Sequence, residues 1–101
     1  MFEYNGVQYD FCFTEERIEA IEESLDKSIM SLFVINKGAL KLREVRFAFC
    51  YGLKVVGGDF VPFSEASAVY AAVKDQFGYI GIIDIIAVAV ERDCPFLFRA
   101  N

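Results

Sequence analysis

The chain has 101 residues and a mass of 11.4 kDa, which leaves room for one domain spanning 1–101. An apolar share of 55%, with 16% aromatic residues, excludes a disordered tail, and 7 Gly with 2 Pro exclude a collagen-like or linker-like chain. A net charge of −5 disfavours non-specific binding to nucleic acid or anionic lipid.

The first element is a β-hairpin over 2–13. Asn5-Gly6 is the preferred pair for a two-residue type I′ turn, because both residues tolerate positive φ. Alternation then puts Val7, Tyr9, Phe11 and Phe13 on one face. Thr14 is placed to cap a helix over about 15–26, with Glu15 and Glu16 suiting its positive end. Ile18, Ile21 and Leu25 recur at helical spacing opposite a glutamate-rich face, and Glu23 and Lys27 form an i,i+4 pair.

Ser28 is a cap for a short helix over 28–36, with Ile29, Leu32 and Phe33 inward, although Leu32-Phe33-Val34-Ile35 is β-branched enough for a strand. Gly38 ends it. A helix over 41–54 follows, with Leu42, Val45, Phe49 and Leu53 on the buried stripe, and Phe47, Cys50 and Tyr51 widening it. Residues 55–62 read as a loop or short hairpin. Ser64 is a natural cap for a helix over 65–76 with Val69, Val73 and Phe77 inward, closed by Gly78. The last helix, 79–93, carries Tyr79, Ile82, Ile83, Ile86 and Val90 on one stripe and Ile80, Ile85 and Val88 on other faces. A helix apolar nearly all round is expected to be buried on several sides. Pro95 stops it, and Phe96-Leu97-Phe98 follow beyond the break. The expected class is α+β, mostly α: an N-terminal β-hairpin and four to five packed helices.

Chemistry is sparse. With no histidine, the usual neutral-pH general base is missing, and no Ser-His-Asp or Cys-His arrangement can form within the chain. Gly57-Gly58-Asp59 lacks the phosphate-cradling pattern and reads as a turn. The acids of 15–26 lack calcium-loop spacing and read as a solvated face. Asp84, alone among isoleucines, could be a buried functional acid, but a partly exposed helix position or a contact to Arg92 is the expectation. Cys12, Cys50 and Cys94 are odd in number and widely spaced, which fits free thiols in a reducing compartment, and no base is visible beside Cys94. No enzyme, metal or cofactor is expected.

Charge is uneven. Residues 1–27 hold eight acids and two bases, whereas 37–54 hold five bases against Glu44. The acidic end and the basic middle could pair within one chain or between copies. The greasiest run, 77–90, is fourteen residues long, short of the roughly 20 a membrane span needs. The N-terminus has no basic or apolar region of a signal peptide, so a cytoplasmic location is expected and no membrane. The apolar content exceeds what a small body readily hides, which makes Phe96, Leu97 and Phe98, then Phe47 and Tyr51, the candidates for contact with a partner.

Met1-Phe2-Glu3-Tyr4-Asn5-Gly6 with Tyr9, Arg17-Ile18-Glu19 with Ile21-Glu22, Tyr51-Gly52-Leu53-Lys54, and Glu91-Arg92-Asp93-Cys94-Pro95-Phe96-Leu97-Phe98 occur in this order over most of the chain. In this pattern the chain resembles the tail assembly chaperones of long-tailed phages and prophages of Gram-positive bacteria. The resemblance implies a mostly helical, cytoplasmic, non-catalytic protein that forms homo-oligomers and binds the tape measure protein and the tail tube subunit. It also implies a short product, ending soon after Phe98, beside a longer frameshifted one, and absence from the mature virion. Two other functions compete: a structural tail or head-completion subunit, and a small regulator binding a host protein or nucleic acid through 37–54. Nucleic-acid binding is not expected, because Phe47 and Tyr51 there sit on the core side.

Overall fold

The computed structural model describes residues 1–29 and 41–97. They form a small, mostly helical α+β domain with an N-terminal three-stranded sheet and three helices. Strands β1 (Phe2–Tyr4) and β2 (Val7–Phe11) are joined at Asn5-Gly6, whose φ values of 52° and 78° are those of the type I′ turn. Helix α1 (Glu15–Leu25) starts at Thr14, whose hydroxyl accepts from the Arg17 amide at 3.3 Å. Helix α2 (Leu42–Gly52) leads directly into β3 (Leu53–Val55), and α3 (Phe63–Asp93) ends before a 3₁₀ turn at Pro95–Leu97.

The sheet order is β1-β2-β3, antiparallel throughout, with Phe2 opposite Tyr9 and Phe11 opposite Leu53. The helix expected over 41–54 is therefore too long by two residues: Leu53 and Lys54 leave it to pair with β2. Leu53 stays buried, as its apolar character demands, but from a strand. A Lys54–Phe60 bridge folds residues 55–62 back as a short hairpin. Gly52 sits at this corner because the Phe13 ring lies against it. A Cβ there would meet Phe13 Cζ at 2.3 Å.

The core is aromatic where sheet meets helices. Phe11 meets Phe49 edge-on at 5.2 Å, Phe49 meets Tyr70 at 5.2 Å, and Phe11 stacks on Phe13 at 6.1 Å. Helix α2 packs against both α1 and α3. Within α3, Gly78 has φ 75° and ψ 163°, a region that essentially only glycine occupies, so the helix is broken there into 63–77 and 79–93. The expected break is where the sequence puts it. Pro62, not Ser64, stands at the cap position, and the helix begins at Phe63; Pro's fixed φ suits a helix start and needs no side-chain acceptor.

Several side chains lie elsewhere than the periodicity predicts. Leu42 is 69% exposed, although Glu44 and Val45 of the same turn are buried. Val7 is exposed beside the hairpin turn, opposite Tyr4. Phe77, last before the break, is 39% exposed and meets the Phe2 ring in a T-shaped arrangement, centroids 6.2 Å apart. Ile80, Ile85 and Val88 are uncovered rather than buried on a second side. Of the helix expected over 28–36, only residues 28 and 29 are described; Ile29 is buried, while Leu32, Phe33 and Gly38 lie outside the described residues.

Polar contacts join the elements. Glu44, buried, accepts from the Lys41 amide at 2.8 Å and from the Lys27 ammonium, tying the end of α1 to the start of α2. Lys27 thus pairs with Glu44 and not with Glu23. The better-desolvated carboxylate gives the stronger partner. Burial alone raises the Glu44 pKa, but the Lys27 bond, the Lys41 amide and the charges of both lysines outweigh it, so the net shift is downward. At the other end, the Asp93 carboxylate accepts from the Phe13 amide at 2.9 Å and pairs with Arg92, which also donates to the Phe11 carbonyl. Arg92 therefore serves Asp10, Asp93 and the sheet, and Asp84 is a solvent-exposed helix position.

Candidate interaction surface

Residues 79–93 form a helix with two apolar sides. Ile82, Ile83, Ile86 and Val90 point into the core. Ile80, Asp84 and Val88 follow one another at four-residue intervals along the outer side, with Phe77, Gly81 and Ile85 as the adjacent row. Ile80 is 73% and Val88 67% exposed. Apart from Asp84 and the terminal Glu91 and Arg92, the exposed side chains of this helix are apolar, unlike the amphipathic pattern of a helix packed on one core. Beyond its end, Phe96 is 57% exposed on the 3₁₀ turn. Leu97 contributes backbone to that turn; its side chain and all of Phe98 lie outside the described residues.

The other two sequence candidates, Phe47 and Tyr51, are brought together. Their rings are 6.2 Å apart, one turn of α2 from each other, and both meet Phe63 edge-on or tilted, at 5.3 and 5.4 Å. Phe47 and Tyr51 are half-buried and Phe63 is exposed, so the trio forms a partly open aromatic surface. The Tyr51 hydroxyl shares a hydrogen bond of 3.0 Å with Ser24, which fixes the ring against α1. Arg43 and Arg46 lie over Phe47, 4.9 and 5.5 Å from its ring centre. Phe96 makes no ring contact with this trio.

Sequence reasoning missed Phe63, Ile80 and Val88 as surface groups. The signal for Phe63 was its place immediately after Pro62, where a helix start projects its first residue outward. For Ile80 and Val88 it was the apolar-all-round pattern itself, which describes an uncovered helix as well as a buried one.

Cys50 and Cys94 are not poised for chemistry. Burial pushes the Cys50 thiol up to about 12, with Arg46 pulling weakly back. Burial also raises Cys94, helped by the charge of Asp93, and its Sγ donates to the Phe13 carbonyl at 3.1 Å. Among the described residues no group of three His, Cys, Asp or Glu side chains could hold a metal ion. None of the described helices is long and apolar enough to cross a membrane. Comparison with family models, with curated proteins and with solved structures finds no match for this chain.

Proposed function

We propose that this protein is a non-enzymatic assembly chaperone that binds apolar helices of a larger partner, in the manner of the phage tail assembly chaperones its sequence resembles. The observation that supports this reading most is the uncovered apolar side of residues 79–93, Ile80, Ile85 and Val88, followed by Phe96. An unpartnered apolar helix side fits an amphipathic helix laid alongside it, the helix-to-groove mode of peptide recognition. The proposed partner is the tape measure protein, whose long apolar helices need cover until tail tube subunits polymerise around them.

The driving force is apolar burial, roughly 25 cal/mol per Å2, offset in part by the entropy lost on association. Phe47, Tyr51 and Phe63 form a second, smaller anchor of the aromatic kind that dominates binding interfaces. Several copies act by mass action and leave as the tube forms. The chaperone works in the cytoplasm and is absent from the finished particle.

The test is co-expression with the tape measure protein. The chain should carry the partner into the soluble fraction, and Ile80→Ser/Val88→Ser should abolish this while remaining folded. A soluble, well-folded chain beside an insoluble partner would refute the proposal. Mass spectrometry of purified particles separates it from a structural tail or head-completion subunit, which would be present there.

A further inference from the structure

Residues of α2 and α3 line an open cleft of about 540 Å3, within the size range of small-molecule sites. Its cations are Arg43 and Arg46 from α2 and Lys74 from α3, all exposed and none in an ion pair among the described residues. Both guanidinium groups lie over the Phe47 ring, 4.9 and 5.5 Å from its centre, a contact that restrains them without neutralising their charge. Asp75 is the one carboxylate among the described lining residues. Glu44, next in sequence to Arg43, is buried and committed to the Lys27 ammonium and the Lys41 amide. In a chain of net charge −5, three cations beside one acid make a locally positive recess.

The rest of the wall is aromatic and apolar. Tyr70 and Tyr79 line it together with the exposed Leu42. Burial raises the Tyr70 pKa and the nearby Arg46 charge opposes the rise without cancelling it, so a neutral phenol stands close to a guanidinium. A phosphate group carries a charge of about −1.5 to −2 at pH 7 and takes its hydrogen bonds from Arg and Lys. A nucleobase stacks on an aromatic ring, and a ribose hydroxyl donates to a carboxylate. An acidic peptide would use the three cations but give the tyrosines and Asp75 nothing to do. We infer that the α2–α3 cleft binds a nucleoside phosphate, its phosphates on Arg43, Arg46 and Lys74, its base against Tyr79 and a ribose hydroxyl on Asp75. The site is built by one chain and stands apart from the chaperone reading, which concerns the apolar side of 79–93.

The experiment is titration of the full chain with ADP in metal-free buffer, followed by the amide resonances in heteronuclear NMR, with pyrophosphate, adenosine and a hexaglutamate peptide as the other probes. ADP should shift the amides of Arg43, Arg46, Lys74 and Tyr79 before any others. Pyrophosphate and adenosine should each bind about tenfold or more weaker than ADP, because each fills only half of the cleft. Arg43→Gln/Arg46→Gln should weaken ADP about tenfold or more and leave adenosine unchanged. Lys74→Gln, a fully surface change, should weaken ADP about threefold or more with no effect on helical circular dichroism. Tyr79→Leu should weaken ADP about fivefold or more and leave pyrophosphate unchanged. No shift at about 1 mM ADP would overturn the inference, as would shifts confined to residues outside the cleft. Pyrophosphate as tight as ADP would also overturn it, since the cleft would then hold an anion and no base. So would hexaglutamate as tight as ADP, which would make the cleft a groove for acidic peptides.

Discussion

Helix α1 buries Ile18 and Ile21 and turns Glu15, Glu16, Glu19 and Glu23 to water. The 79–93 half of α3 buries Ile82, Ile83, Ile86 and Val90 and turns Ile80, Ile85 and Val88 to water. The first pattern is complete within one molecule, since nothing on its outer side gains by further burial. The second leaves large apolar groups in water, Ile80 and Val88 most of all, each forgoing part of the roughly 1.5–3 kcal/mol that full burial supplies. The difference separates a helix that serves only the fold from one whose inner side serves the fold and whose outer side is unspent.

The widest gap should appear between the two sides of that same helix. Ile86→Ala, at a fully buried site, should cost about 2–5 kcal/mol in urea unfolding, while Ile80→Ala should stay within about 0.5 kcal/mol. Equal losses at the two positions would break the comparison. The inner side should tolerate added atoms no better than missing ones. Gly52→Ala drives a methyl into the buried Phe13 ring and should cost about 2–3 kcal/mol by the same measurement.

The carboxylates sharpen the contrast further. Glu44→Gln should lose about 1–2 kcal/mol at neutral pH, the partial exposure of Lys27 keeping the loss below that of a fully buried pair, whereas Glu19→Gln on the solvated face should be near neutral. Because Glu44 has a lower pKa folded than unfolded, its contribution is complete above the ordinary 4.5 and disappears as the pH falls through the folded value. Unfolding curves of wild type and Glu44→Gln should therefore begin to converge below about pH 4.5 and meet once the pH is under the folded value. The smallest effect on stability belongs to Ile80→Ser/Val88→Ser, within about 0.5 kcal/mol, although this variant should lose solubilisation of the partner altogether.

Local signals in the sequence were sufficient wherever structure is decided by neighbours along the chain. Asn5-Gly6 specifies its turn, Thr14 its cap, and Gly78 and Pro95 the ends of their helices, because each acts through its own backbone or the next turn. What the sequence concealed depends on distant partners. Leu53 fits the α2 stripe by periodicity, and only β2, some forty residues earlier, draws it into a strand. Lys27 has a reachable partner in Glu23, and only the fold brings the more buried Glu44 to it. The candidate site divides in the same way. Phe47 and Tyr51 were legible as a pair one helical turn apart, but their third member, Phe63, and the outward side of Ile80 and Val88 depend on what α2 and the sheet leave uncovered.

The clasp between Phe13 and Asp93 joins residues 80 positions apart. A ribosome releases the Phe-rich hairpin first and the acid that secures it eighty residues later. The nascent chain must therefore carry Phe11 and Phe13 without their final cover until the end of α3 has emerged, and the closing step of folding is timed by translation.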